Sequence, residues 1–190
     1  MVSSVPSTPI PREIATPRLR LRPPAMSDAD LAFARWTSDP EVTRYMSWRR
    51  HEAVDETRAW LNMAVEAWAR GGPHLAWLLE LSEVAGPFGA VGLTLEAHRV
   101  SVGYGLARDH WGQGLMTEAV EALVAVASSL PGVHRVWAYC DIENTASARV
   151  MEKVGMEYEA TLQRWAMHPN LSDVPRDVLV YVLPPAARRA

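Results

Sequence analysis

Val102-Gly-Tyr-Gly-Leu106-Ala-Arg-Asp-His110-Trp-Gly-Gln-Gly114-Leu-Met-Thr-Glu-Ala119 is the stretch on which the reading of this chain turns. Residues 100–106 have the pattern of a strand. Gly112 and Gly114 then make a tight turn, and the hydrophobic period changes at once. From 114 to 128, Leu115, Ala119, Val120, Leu123, Val124 and Ala127 recur on one face of a helix. The first turn of such a helix has free backbone N–H groups and the positive end of the dipole, which suits phosphate oxygens. Glycine lets the backbone approach a ligand because no side chain intervenes. Arg108 is near enough in sequence to add positive charge. The loop is not a dinucleotide fingerprint, because Thr117 stands where a third glycine is needed. Nor is it a P-loop, because no Gly-Lys-Ser/Thr follows. A phosphate bound here needs another architecture.

On the N-terminal side, residues 75–81 and 88–95 read as two more strands, with 96–99 joining the second to the strand at 100–106. Residues 53–70 form a long helix carrying Trp60, Leu61, Ala64, Val65 and Trp68 at helical spacing, ended by Gly71-Gly72-Pro73. Before it, Asp39-Pro40 opens a short helix to about Met46, and Ser27-Asp28 caps one that runs to about Thr37. Residues 17–22 alternate as a half-buried strand. Beyond Pro131-Gly132, residues 135–140 form a strand with Val136, Ala138 and Cys140 on one side and Arg135, Trp137 and Tyr139 on the other. Asn144 caps a helix over 144–154 and Gly155 stops it. Strands at 158–165 and 178–183 close the chain. This order predicts an α/β (mixed α+β) fold, with a mixed sheet flanked by helices. The crossover from 100–106 through a helix to 135–140 is compatible with a right-handed parallel unit.

The chain has 190 residues, 48% of them apolar, and a formal net charge of −3. That is one domain with a sizeable core, and it lacks the basic excess of a generic nucleic-acid binder. A single cysteine, Cys140, excludes an intramolecular disulfide and a cysteine-built zinc site. The histidines show no metal spacing, so no metal is expected. No apolar run is long enough for a membrane span and residues 1–16 lack a secretory signal, so the expected location is cytoplasmic. Pro6, Pro9 and Pro11 among Ser and Thr make 1–16 read as a flexible leader. The domain is assigned to 17–184 and a C-terminal tail to 185–190.

Taken in order, several motifs resemble the GNAT superfamily of acyl-CoA-dependent N-acetyltransferases, most closely its RimJ/RimL-like branch. They are Thr16-Pro-Arg-Leu-Arg-Leu-Arg-Pro23, Gly103-Tyr104, Trp111-Gly-Gln-Gly114 with Thr117-Glu118-Ala119, Asn144 with Ser147, and Gly155-Met156. The resemblance implies a mostly antiparallel central sheet in which one parallel strand pair, 100–106 and 135–140, splays apart to admit the pantetheine arm of acetyl-CoA. It places the diphosphate on the backbone of Trp111, Gly112, Gln113, Gly114, Leu115 and Met116, with Arg108 beside it. Leu106 and Ala107 would hydrogen-bond the pantetheine and polarise the acetyl carbonyl, and Asn144 and Ser147 would meet the cofactor arm. The acceptor would be a primary amine, either a protein N-terminus or a small molecule, attacked directly in a ternary complex. No nucleic-acid or membrane partner is implied, and the chain would be a monomer or a homodimer.

Three positions depart from the family pattern. Asp109 stands where a glutamine or arginine is common, and its carboxylate cannot help a diphosphate. Met151 replaces a tyrosine that would protonate the leaving thiolate; in the RimJ/RimL-like branch a serine one turn into the helix is the suggested donor, and the resemblance gives Ser147 that role as general acid. Ser101 replaces a strand glutamate base, so Tyr104, Asp141, Glu143 and Glu96 become the candidates. These departures keep a second reading open, a non-catalytic acyl-CoA-binding module on the same fold.

Overall fold

The computed structural model describes residues 10–185. Strands β1 (Ile14–Ala15), β2 (Leu19–Arg22), β3 (His74–Leu81), β4 (Gly89–Glu96), β5 (Arg99–Leu106), β6 (Arg135–Asp141), β7 (Glu157–Ala166) and β8 (Arg176–Val182) build one eight-stranded sheet. Their order is β1-β2-β3-β4-β5-β6-β8-β7. Every neighbouring pair is antiparallel except β5 and β6. The helices are α1 (Ala29–Ala32), α2 (Pro40–Thr43), α3 (Val54–Arg70), α4 (Leu115–Ser129) and α5 (Thr145–Lys153). The mixed α/β class, the mostly antiparallel sheet and its single parallel pair are those the sequence predicts.

Helix α4 buries Leu115, Met116, Ala119, Val120, Leu123, Val124 and Ala127, the row recognised from its spacing. Each leucine or valine so buried contributes about 1.5–3 kcal/mol relative to exposure. Val136, Ala138 and Cys140 of β6 join this core, while Trp137 and Tyr139 pack with Val178, Val180, Ala166 and Leu162 on the opposite face. The alternation along β6 therefore sorts the two faces of the sheet. Asp39 caps α2, accepting from the N–H of Glu41 at 2.8 Å. Asp28 stands at the N-cap position of α1, as the sequence suggests, but its side chain makes no cap bond to that helix. It lies inside a 3-10 turn, Met26–Asp28, and reaches back to the N–H of Ala25 at 2.7 Å while Arg22 grips its carboxylate. Residues Phe33–Thr37 then widen into a π turn after α1.

The pairing of β5 with β6 is short. Arg99, Val100 and Ser101 face Arg135, Val136 and Trp137, and the register ends there. Beyond that point β5 stays paired with β4 along its whole length, and β6 stays paired with β8 as far as Asp141. The two halves of the sheet thus part after Ser101 and Trp137, leaving a cleft between strand edges with unpaired backbone groups.

Residues 10–16, read from their composition as part of a flexible leader, pack into the domain. Residues 1–9 lie outside the described residues, as do 186–190, but the chain is built into the domain from Ile10 onward. Ile10 and Ile14 pack against the core, the carbonyl of Pro11 accepts from the Trp77 indole at 3.2 Å, and Ile14–Ala15 pairs with β2. Thr16 and Arg18 then close on Glu118 in the first turn of α4. The Thr16 hydroxyl donates at 2.6 Å, the Arg18 N–H at 2.9 Å and the Arg18 guanidinium at 2.6 Å. Proline content made this segment look loose, and its partner is about a hundred residues away in the chain.

Glu118 is nearly buried and collects these donors, so Glu118→Ala should destabilise the fold by about 1.5–3 kcal/mol, the range for hydrogen bonds to a charged group. Arg18→Ala should cost much less, because its side chain is half exposed. Urea unfolding of the two variants against the wild type measures both.

Candidate active site

The loop after β5 is braced from both sides. A short 3-10 turn, Arg108–His110, leads to Gly112 and Gly114, which adopt φ of +73° and +74°. That left-handed backbone is why glycines stand there. The side-chain amide of Gln113 donates to the Asp109 carbonyl at 3.0 Å, and the Gln113 carbonyl accepts from Arg18 at 2.9 Å. The Thr16-Pro-Arg18 motif and the glycine loop are therefore one structural unit. Among the described residues, the N–H groups of Gly112 through Thr117 have no acceptor. The first to find one is Glu118, whose N–H bonds the Gly114 carbonyl at 3.1 Å. A Cβ placed on Gly112 would meet nothing within 4 Å. An open run of donors at the start of a long buried helix fits a diphosphate.

Other expected cofactor contacts are engaged by the protein itself. The Leu106 carbonyl accepts from the Trp111 indole at 2.7 Å, and the Ala107 N–H donates to Phe88 at 2.8 Å. Arg108 does not lean over the loop. It pairs with Asp39 at 3.0 Å and so ties the loop to the start of α2. Asn144 uses its side-chain oxygen to cap α5 through the Ser147 N–H, at 3.1 Å.

Ser147 and Tyr104 meet across the cleft, hydroxyl to hydroxyl at 2.8 Å, and the Tyr104 hydroxyl also lies 3.1 Å from the Ser147 carbonyl. Burial pushes the Tyr104 phenol well above its ordinary range, against the opposing effect of the Ser147 bond. Tyr104 therefore keeps its proton and is a donor, which removes it from the candidate bases. Met151 is fully buried in the core and serves packing. Cys140 lines the same side of β6. Burial, with Asp141 adding to it, pushes its thiol up to about 11, so it is a neutral core thiol.

On the other face of the sheet, Ser101, Gly103 and Gly105 form a floor of small residues. A Cβ on Gly103 would meet nothing within 4 Å, and one on Gly105 would meet only Met46. Trp137, the partner of Ser101, and Tyr139 stand beside this floor with rings 6.0 Å apart. Asp141 ends β6 on this face, fully buried. It accepts from Arg176 at 2.6 and 3.1 Å and from the Glu143 N–H at 2.9 Å. Burial drives its carboxyl upward, but Arg176 and that N–H outweigh it and hold the group below its ordinary value. Glu143 pairs with the same guanidinium at 3.1 Å, and Glu96 pairs with Arg99. All three candidate carboxylates are thus committed to arginines.

His168 and Arg176 escaped the sequence reading. Both lie in or beside the segment between the last two strands, where Pro169 and Pro175 suggest only a connecting loop and no periodicity marks either residue. His168 is 2% exposed, and neither ring nitrogen has a hydrogen-bond partner. Its Nε2 lies 3.7 Å from Asp141 Oδ2. Asn170, two residues on, accepts from the Arg50 N–H at 2.8 Å and donates to the carbonyls of Thr43 and Trp48 at 2.7 and 2.8 Å. This polar stitch holds the loop against the segment between α2 and α3.

A family model described as an acetyltransferase (GNAT) domain matches residues 18–157. An uncharacterized N-acetyltransferase, p20 of Bacillus licheniformis, is 32% identical over 150 residues, covering 78% of this chain and 84% of its own length. The uncharacterized protein YkkB of Bacillus subtilis strain 168 is 34% identical over 159 residues, covering 80% and 90%. Among solved structures, the ribosomal L7/L12 α-N-protein acetyltransferase RimL, in complex with coenzyme A, aligns with a TM-score of 0.77 at 20% identity over 91% of this chain and 96% of that one. The microcin C7 self-immunity acetyltransferase MccE, in complex with acetyl-CoA and AMP, aligns with a TM-score of 0.77 at 16% identity, covering 88% and 92%. At such identities the two structures speak to the fold. The chain belongs to the GNAT acetyltransferase family, whose members are acetyl-CoA-dependent N-acetyltransferases. No helix among the described residues is long and apolar enough to cross a membrane.

A thiol raised by burial reacts slowly at neutral pH. Cys140 should therefore resist 5,5′-dithiobis(2-nitrobenzoate) at pH 7.5 in the folded protein and react at once in urea. Rapid labelling of the native chain would contradict this description of its surroundings.

Proposed function

We propose that this protein moves the acetyl group of acetyl-CoA onto a primary amine by direct attack in a ternary complex, and that its first acceptor class is the α-amine of a protein or peptide, with small amines second. The observation that carries the transfer reading is the parting of β5 from β6 beside the open N–H groups of Gly112 through Thr117. Those N–H groups would hold the diphosphate, and the unpaired strand edges would meet the amides of the pantetheine arm. Acetyl-CoA supplies an activated thioester. The protein supplies orientation and backbone N–H groups for the charge that develops on the carbonyl oxygen. Ser147, in contact with a Tyr104 that stays protonated, is positioned to give a proton to the departing sulfur.

The committed carboxylates support this acceptor class. With Glu96, Asp141 and Glu143 on arginines, none of these three candidate carboxylates stands ready to strip a strongly basic amine. A lysine side chain, pKa about 10.4, is almost wholly protonated at neutral pH, whereas an α-amine, pKa about 7.7–8.0, is partly neutral. The site suits the α-amine.

Gly114→Val should lower acetyl-CoA affinity at least about tenfold by calorimetry, with the circular dichroism spectrum retained, because a side chain would enter the diphosphate seat. Ser147→Ala should lower kcat by about a hundredfold with little change in acetyl-CoA affinity, as read by CoA-thiol release. In the same assay at pH 7, peptides with free N-termini should outpace N-blocked peptides that offer only lysine. Binding of acetyl-CoA without thiol release on a broad amine panel would restore the non-catalytic module.

A further inference from the structure

The loop between β5 and α4 offers a diphosphate no free cation of its own. Arg108, the expected one, is paired with Asp39 at 3.0 Å. Burial, and after it the nearby Arg35, holds the His110 imidazole below its ordinary value, so that ring is neutral at pH 7. Asp109 adds a negative charge to the loop. So does Glu118 in the first turn of α4. Burial drives its carboxyl upward, but the bonds from Thr16 and Arg18 outweigh that and keep it ionised. Free N–H groups at a helix start attract an anion, whereas an uncompensated carboxylate among them repels it.

The compensating charge comes from Arg18, just before β2. Its Nε donates to Glu118 at 2.6 Å, and its Nη1 donates to the Gln113 carbonyl at 2.9 Å. These two anchors use different nitrogens and so fix the guanidinium plane against the glycine loop. The third nitrogen, Nη2, makes no hydrogen bond among the described residues. It lies 3.6 Å from the place a Cβ on Gly114 would occupy. The Arg18 side chain is 47% exposed, so a ligand can reach it. A planar guanidinium can hold a carboxylate along one edge and a phosphate oxygen on another nitrogen. Because Glu118 and Gln113 already order this one, little further freedom is lost when an anion binds.

We infer that Arg18 is the cationic partner of the acetyl-CoA diphosphate, donating from Nη2 to a phosphate oxygen seated on the N–H groups of Gly112 through Thr117. This rests on the acetyl-CoA reading above. The Thr16-Pro-Arg18 motif then has two tasks. It fastens the N-terminal segment to α4, and it supplies the charge that Arg108 gives to Asp39.

The test measures acetyl-CoA affinity by calorimetry for wild type, Arg18→Ala and Arg18→Gln, at low and at high salt, with the thermal midpoint of each protein. At low salt both variants should bind about tenfold more weakly, as expected for one lost hydrogen bond to a charged group. The gap should narrow at high salt, where the lost charge matters less. Acetyl-3′-dephospho-CoA, which keeps the diphosphate, should show the same loss. In a Glu118→Gln background, adding Arg18→Ala should still weaken binding about tenfold. A loss that is equal at low and high salt would mean that Arg18 only shapes the loop. A loss that vanishes in the Glu118→Gln background would mean that it only neutralises Glu118, and one that vanishes with the dephospho compound would put it at the 3′-phosphate. Each of these three results would overturn the inference. A wild type that binds no acetyl-CoA removes the transfer reading and this one together. A wild type that binds it, with both Arg18 variants binding equally well, removes this one alone.

Discussion

The site depends on a competition for hydrogen bonds between neighbouring strands. β5 gives its full length to β4, and β6 gives its far half to β8. Only the beginnings of β5 and β6 remain for each other. A parallel pair that separates after a few residues exposes backbone groups that would be satisfied in a continuous sheet. Here those groups border a cleft wide enough for Tyr104 to reach across it to Ser147. The glycine loop and α4 follow β5 directly, so the same parting that opens the cleft also brings the helix start to its edge.

Polar clasps between distant segments keep this arrangement in place. Glu118, in the first turn of α4, is neutralised by Thr16 and Arg18. An acidic residue is favoured at a helix start, and here it also secures the N-terminal strand. Arg108 and Asp39 join the loop to α2, and Asn170 joins the last hairpin to the segment after α2. The loop after β5, the segment around α2 and the last hairpin, remote in sequence, are thus held together.

Electrostatics divides the two sides of the cleft. On the side of α5, Tyr104 and Cys140 are both pushed upward by burial, so this side stays neutral and proton-bearing. On the opposite side, Asp141 is held ionised by Arg176. The sheet therefore separates a neutral, proton-bearing face from a charged one.

Much of this protein could be read from local pattern. The helical row of α4, the turn at Gly112 and Gly114, the alternation in β6 and the Asn144 cap each depend on neighbours within a few residues, and each stands where the pattern places it. The ordered motifs likewise identified the family. Pairings between remote residues were not legible. That Ile10 to Thr16 belongs to the domain, that Arg108 turns to Asp39, that Asp141 and Glu143 are bound by Arg176, and that His168 lies beside Asp141 all follow from segments meeting only when the sheet closes. Backbone propensity is a short-range quantity, whereas the ionisation and availability of a side chain depend on whatever charge the folded chain brings against it.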